Sequence, residues 1–296
     1  MKLRSIAIKE ERSFYLFISP WVIGCVIFIA GPMLTSVLLS FMEWDIITAP
    51  RWTGLSNYEE LFRRDPVFWK SLKVTAVYAC VTVPLHLLSS LMVAILLNQS
   101  VKGLGLFRTI FYLPTVLPPV ASILLWIWIF FPDGLLNACV TLLGIPPQNW
   151  LQDERLALPS IMLMSLWGFG ASMLIFLAGL QSIPTHLYEA ADIDGAGRWS
   201  KFRHITLPML SPVIFFNVVT GIIGTFQVFT AGYLFTGGGP NNATMFYVLY
   251  LYKNAFEYFR MGYACALAWV LFVIIMVCTL LVMKSSAKWV YYEGAR

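Results

Sequence analysis

The charged and glycine residues crowded between Glu189 and Arg203 are the stretch of this sequence best equipped to make a specific contact. Three carboxylates (Glu189, Asp192, Asp194), three cations (Arg198, Lys201, Arg203) and two glycines (Gly195, Gly197) fall within fifteen residues, between two long apolar segments. The pattern predicts two short helices broken at glycine. Pro184 suits a first helical turn behind a Ser182 cap, because proline lacks only an N–H that has no partner there. Tyr188, Ala191 and Ile193 would give that helix an apolar stripe, and Gly195 and Gly197 its stop. A second turn runs through Trp199, Phe202 and Ile205, and Pro208 and Pro212 open the next apolar run. On pattern alone, a solvated connector between two membrane helices fits as well.

Catalytic chemistry has no foothold. No nucleophile–base pair or His/Asp/Glu cluster stands at a membrane face. The glycine run Thr236-Gly237-Gly238-Gly239-Pro240 lacks the Lys-Ser or Lys-Thr of a phosphate loop, so it reads as a tight turn, and the chain carries no Walker A sequence. The five cysteines (Cys25, Cys80, Cys139, Cys265, Cys278) show no Cys-x-x-Cys spacing, and four lie in apolar runs. They read as small buried hydrophobes, and neither a disulfide framework nor a metal site is expected.

The elements that must position these residues are membrane spans. Of 296 residues, 59% are hydrophobic and only 12% charged, about half the charge share of a soluble domain. Apolar runs predict six spans, at 14–41, 74–97, 109–131, 158–180, 210–235 and 261–283. The first follows a basic leader, residues 1–13, but is too long for a signal-peptide core and is read as a retained anchor. Pro114, Pro118 and Pro119 should kink or unwind the first half of the third span. The loop 132–157 is expected to hold turns around a short surface helix. This gives an all-α membrane protein: a segment 1–13, a six-span region 14–283 with its core at 71–283, the loop 182–212, and a tail 284–296. No soluble second domain fits.

Within those spans no Asp, Glu, Lys or Arg occurs, and His86 is the one ionisable side chain. Ion- and proton-coupled carriers rely on intramembrane titrating groups, so their lack argues against a secondary carrier; His86 reads as a helix-packing hydrogen-bonder ahead of a proton relay. Neutral polar groups and aromatics are what a sugar needs, amides and hydroxyls for its hydroxyls and rings for its apolar faces. Candidates cluster on the fourth span (Ser165, Trp167, Gly168, Ser172) and the fifth (Asn217, Gly221, Gly224, Thr225, Gln227, Phe229). The same small residues also serve close helix packing, the alternative reading of each. With both termini inside, twelve of the twenty lysines and arginines fall on the cytoplasmic side, a weak positive-inside bias. The modest net charge of +5 suggests loops near lipid, with no nucleic-acid partner.

The spacing Glu189-Ala190-Ala191, Gly195, then Ile205-Thr206-Leu207-Pro208 resembles the EAA signature of permease subunits of binding-protein-dependent ABC importers. Glu189 through Ala196 also match the EAAxxDGA of the maltose-type and glycerol-phosphate-type carbohydrate permeases. Gly54-Leu55-Ser56-Asn57-Tyr58, followed by Leu61-Phe62, resembles an outward loop of the same family. The resemblance implies the type I ABC importer permease fold, in a bacterial or archaeal cell (inner) membrane, with both termini and the EAA loop cytoplasmic. It implies a second homologous permease as heterodimer partner, two ATPase subunits and an extracytoplasmic sugar-binding protein. ATP and Mg would be bound by the ATPase, leaving this chain without a cofactor of its own. Glu189, Ala190, Ala191, Asp194, Gly195, Leu207 and Pro208 would form the ATPase-coupling element. Small alanines permit close approach, Glu189 offers a charge to a cation in the partner cleft, and Asp194 could tie back to the backbone near Gly195. In the maltose-type relatives the substrate cavity is lined from the spans flanking this loop, here Trp167 to Ser172 and Gly221 to Phe229. A neutral carbohydrate is the expected substrate; a polyol or glycerol phosphate, and an ion-coupled carrier, are the alternatives.

Overall fold

The computed structural model describes residues 2–99 and 102–291, with side chains from Glu10 onward. Met1, the connector residues Ser100 and Val101, and tail residues 292–296, Arg296 among them, lie outside the described residues.

The first helix, α1 (Lys2–Cys25), continues through a π-helical turn, Val26–Ala30, into α2 (Gly31–Ser40). It starts well before the span expected at 14. Hydropathy marks where lipid begins, whereas Lys, Arg and Glu extend a helix readily on the polar side. A two-rung antiparallel hairpin follows, β1 (Met42–Glu43) and β2 (Arg51–Trp52), pairing Met42 with Trp52 and Glu43 with Arg51. In its loop, Asp45 accepts from the Thr48 amide and hydroxyl, each at 2.7 Å, and from the Ile47 amide at 3.2 Å. These bonds, the Thr48 amide foremost, hold its carboxyl below the usual range.

After α3 (Ser56–Arg63), helix α4 (Pro66–Leu97) also begins earlier than the expected 74. The reason is local: Asp65 accepts from the Val67 and Phe68 amides at 2.9 and 3.1 Å, and Pro66 occupies the first turn. The third expected span is cut in two, α5 (Leu104–Val116) and α6 (Pro119–Phe130). Leu117 and Pro118 are extended, with ψ of 139° and 132°, as residues preceding proline prefer; Pro114 stays inside α5.

The short surface helix is α7 (Leu135–Leu142). Then come α8 (Ala157–Leu166) and α9 (Gly170–Gln181), bent by 43° at the intervening residues. The loop region folds as α10 (Thr185–Ile193), α11 (Arg198–Lys201), a π turn Phe202–Thr206 and α12 (Leu207–Met209). A 61° bend leads into α13 (Ser211–Phe226). The fifth expected span is interrupted here, because α13 ends at Phe226 and α14 (Thr230–Thr236) resumes after a non-helical Phe229. Last are α15 (Tyr247–Tyr252), a π turn Lys253–Glu257, and α16 (Met261–Ser286). Four helices among the described residues, Glu10–Ser40, Pro66–Leu97, Pro119–Leu142 and Met261–Ser286, are long and apolar enough to cross a membrane; the total is six if each bent pair is one span.

By contacts the chain divides into two compact units, Met1–Arg64 with Leu251–Val270 and Asp65–Tyr250 with Leu271–Arg296. In the first, buried Asn57 donates to the Ser40 and Met42 carbonyls, both at 2.9 Å, pinning α3 under the end of α2. Arg260 reaches Glu60 at 2.6 Å and lies 4.4 Å over the Tyr263 ring. In the second unit α4 is central, packed against α8, α9 and α13. Ala94, Leu97, Met173, Phe176, Leu177, Leu180 and Leu210 form a buried cluster among these helices.

Asn137 organises the loop between α6 and α8. It is 2% exposed; its amide donates to the carbonyls of Phe131, Pro132 and Gln148, and its Oδ1 accepts from the Gln148 amide and the Trp150 indole (2.8 Å). Asn137→Ala strands several buried partners at once, and is expected to destabilise the fold by about 3 kcal/mol. A thermal unfolding midpoint in detergent that matched wild type would contradict this.

Candidate functional site

Two features concentrate the residues singled out by the sequence. The first is the hairpin of short helices between α9 and α13. Pro184, in extended conformation, stands as the N-cap of α10. Ser182 does not cap it: its hydroxyl donates back to the Gly179 carbonyl at 2.8 Å, the usual local alternative for serine. The helix stops in a Schellman arrangement, with the Gly195 amide on the Asp192 carbonyl (3.1 Å) and the Ala196 amide on the Ala191 carbonyl (2.9 Å). Gly195 has a φ of +73°, which the sharp turn requires and glycine alone adopts without penalty. Asp194 contributes its backbone amide, to the Ala190 carbonyl at 3.1 Å. Its carboxylate is exposed and makes no tie to the backbone near Gly195 among the described residues.

Two contacts close the hairpin. The Tyr188 and Thr206 hydroxyls meet at 2.9 Å, and Lys201 pairs with Asp192. Leu187, Tyr188, Ile205 and Met209 pack against the buried cluster of α4, α9 and α13. The expected apolar stripe is therefore split. Tyr188 and Ala191 are half-buried, but Ile193 is 88% exposed. Trp199, expected in the second turn, is 72% exposed and tilts against Phe202. Glu189, Ala190, Asp194, Gly195 and Leu207 are exposed, while Pro208 is half-buried. Sequence periodicity marks apolar residues alike whether they face the core or a separate surface, so the stripe includes Ile193 although it faces outward. The segment after α16 rests nearby, with Trp289 against Phe215 and the Tyr291 amide on the Ser211 hydroxyl at 2.8 Å.

The second feature is a cavity of about 330 Å³ between α4, α8, α9 and α13. Ser165, Ser172, Asn217, Gly221, Gly224 and Thr225 all line it. The other four candidates lie elsewhere. Trp167 sits at the α8–α9 bend with its ring edge-on to Trp126 at 6.0 Å, and Gly168 lies in the same bend. Gln227 is exposed at the end of α13, its backbone N–H on the Gly224 carbonyl, and Phe229 stacks on Tyr233 at 5.4 Å. Sequence reasoning missed the α4 wall, Tyr78, Thr82, Val83 and His86, together with Thr220. The signal was present: Tyr78, Thr82 and His86 recur every fourth residue, a polar stripe on one helix face.

The cavity's polar groups are largely satisfied within their own helices. Thr225 donates to the Gly221 carbonyl at 2.8 Å, Thr220 to Phe216 at 2.9 Å, and the Asn217 amide to Val213 at 2.9 Å. Each keeps acceptor capacity for a ligand hydroxyl. His86 is the one ionisable side chain among the lining residues apart from the Tyr78 phenol. No group of three His, Cys, Asp or Glu able to hold a metal occurs among the described residues.

Residues 86–291, which contain the hairpin and all of the cavity lining except Tyr78, Thr82 and Val83, match the family described as the binding-protein-dependent transport system inner membrane component. The chain is 47% identical to the probable ABC transporter permease protein YesP of Bacillus subtilis, covering 99% of this chain and 96% of that one. It is 34% identical to the arabinooligosaccharides transport system permease protein AraP of the same organism, covering 96% and 92%. Its fold matches a chain in the crystal structure of a bacterial ABC transporter involved in the import of the acidic polysaccharide alginate, with a TM-score of 0.83 at 24% identity over 97% of this chain and 99% of that one. The chain belongs to the binding-protein-dependent inner membrane components, the membrane-spanning permeases of ABC importers.

Proposed function

We propose that this permease passes a neutral carbohydrate, delivered by an extracytoplasmic binding protein, through the cavity between α4, α8, α9 and α13. The observation that carries this reading is the lining itself: hydroxyls, an amide, the His86 imidazole, glycines and aliphatics, with no Asp, Glu, Lys or Arg. Such a surface reads hydroxyl groups by short-range hydrogen bonds and leaves a charged substrate without a counter-ion. Glycerol phosphate is disfavoured on that ground. The relative AraP, named for arabinooligosaccharide transport, supports a sugar.

In this reading the chain pairs with a second, homologous permease and two ATPase subunits, with both termini and the α10–α12 hairpin in the cytoplasm. The exposed face of α10 is the ATPase contact: Glu189 supplies charge, Ala190 permits close approach, and Gly195 fixes the angle of the helix. Its inward face, through Leu187 and Tyr188, passes movement to the cluster shared by α4, α9 and α13. The hairpin joins α9 directly to α13, and both line the cavity. ATP-driven closure of the ATPases would thus shift two cavity walls together and alternate its access.

Gly224→Trp tests the pathway. A β-carbon there meets nothing within 4 Å, so the indole can enter the cavity without displacing the backbone. In the reconstituted complex, uptake of a tritiated arabinooligosaccharide should fall at least about tenfold, the equivalent of ~1.4 kcal/mol, with ATPase association unchanged. Undiminished uptake by this variant would remove the cavity from the substrate path.

A further inference from the structure

A second cavity, of about 400 Å³, lies along a different face of α4, between that helix and α8. Its composition is divided along the helix axes. Lys70, Lys73 and Arg155, with the single carboxylate Glu154, stand at one end. Deeper along the same two helices the walls are aliphatic, with Val77 and Val81 on α4 and Leu158 and Met162 on α8. From Lys73 to Val81 the α4 wall runs eight residues, roughly 12 Å at the helical rise.

The charges at the mouth are unequal in their partners. Lys70 meets Glu154 at 3.5 Å, and Glu154 also receives the Asn241 amide at 3.4 Å. Neither the Lys73 ammonium nor the Arg155 guanidinium has a partner among the described residues; of Arg155 only the backbone amide is engaged, by Asp153. Val77 and Val81 remain 41% and 40% exposed, so the furrow is open along its length. Both helices belong to apolar spans, which puts the cations where hydrocarbon gives way to headgroups.

We propose that this furrow binds an anionic phospholipid. The phosphate lies between Lys73 and Arg155, and one acyl chain follows Val77, Val81, Leu158 and Met162. Two unpaired cations lining one mouth select negative charge at the interface, and the aliphatic floor gives a chain a fixed wall to lie against that open bilayer does not. A soluble anion would use only the mouth. A neighbouring helix would have to bring carboxylates to the mouth as well as fill the floor, since cations facing apolar surface are costly. The site is separate from the sugar pathway and does not rest on that reading.

Native mass spectrometry of the complete transporter in mild detergent, with added palmitoyl-oleoyl-phosphatidylglycerol or the matching phosphatidylcholine, tests it. Lys73→Glu/Arg155→Glu should lower phosphatidylglycerol retention by roughly tenfold or more, and Val81→Trp should lower it comparably. Phosphatidylcholine retention should not change between wild type and the charge-reversed pair. If the reversed pair assembles poorly, Lys73→Gln/Arg155→Gln gives the same reading. Equal phosphatidylglycerol retention in wild type and charge variants overturns the proposal. So does full retention in Val81→Trp, which would mark bare surface charge. A disulfide between Val81→Cys and a cysteine scanned along the partner permease would also overturn it, assigning the furrow to protein.

Discussion

Gly195→Val should uncouple the transporter, and Gly195→Asn should largely spare it. Gly195 sits at φ +73° with nothing within 4 Å of where a β-carbon would stand, so the penalty on a side chain is conformational and not steric collision. A β-branched residue in the left-handed region costs on the order of 1–3 kcal/mol, whereas asparagine visits that region routinely. If the backbone relaxes to avoid the strain, the Ala196–Ala191 and Gly195–Asp192 hydrogen bonds open. The end of α10, with Asp194 and the exposed Ile193, then leaves its position. A penalty of that size lowers the population of the docked geometry by a factor of roughly 5 to 150. ATPase pull-down and ATP-driven uptake, measured side by side, should both fall in the valine variant and stay near wild type in the asparagine variant. Wild-type behaviour in both would show that the loop's shape does not carry coupling; equal loss in both would point to a contact made by glycine itself.

The largest stability effect is expected from the smallest possible change, Gly262→Ala. A β-carbon at Gly262 would land on the Met42 carbonyl oxygen, 3.0 Å from the Met42 carbonyl carbon and 3.2 Å from the Leu39 carbonyl oxygen. All three are backbone atoms, so no flexible side chain can swing aside. The start of α16 must instead move off the corner between α2 and β1. That motion would break the Met261 and Gly262 amide bonds to the Trp44 carbonyl, at 2.9 and 3.3 Å. The expected cost is about 3 kcal/mol or more, read as a lowered unfolding midpoint of the purified protein. Gly224→Ala is the control, since open space surrounds that position, and it should unfold close to wild type. If the two alanine variants unfold together, the α16 contact is looser than the geometry states.

How much of this was legible in the sequence depends on which physical signal a feature leaves. The stop at Gly195 was readable because a single residue type permits the backbone it needs. The helical content was readable because apolar runs of span length leave few other solutions. Helix ends were not, because hydropathy and helix propensity part company at the membrane surface. Lys2 to Arg12 prolong the first helix on the polar side, and α4 begins at Pro66 behind its Asp65 cap, eight residues before the apolar run at 74. The Asp65-Pro66 pair was in plain view and went unused. The break at Gln227–Phe229 carries neither proline nor glycine, so nothing local announced it, whereas the bend near Trp167 has Gly168 and Gly170 as its signal. The α4 wall of the cavity lies more than eighty residues before the α10–α12 hairpin in sequence, so sequence proximity to the hairpin does not mark it. Helix neighbours in space, unlike neighbours in sequence, are set by packing.

The continuity of α13 from Ser211 to Phe226 makes it a lever hinged at the 61° bend. Asn217 stands six residues from its foot, about 9 Å, and Thr225 fourteen, about 21 Å. Any tilt at the foot therefore carries Thr225 more than twice as far sideways as Asn217. In the proposed cycle the cavity would therefore open like a jaw, widening most at the Thr225 end and least at the Asn217 end.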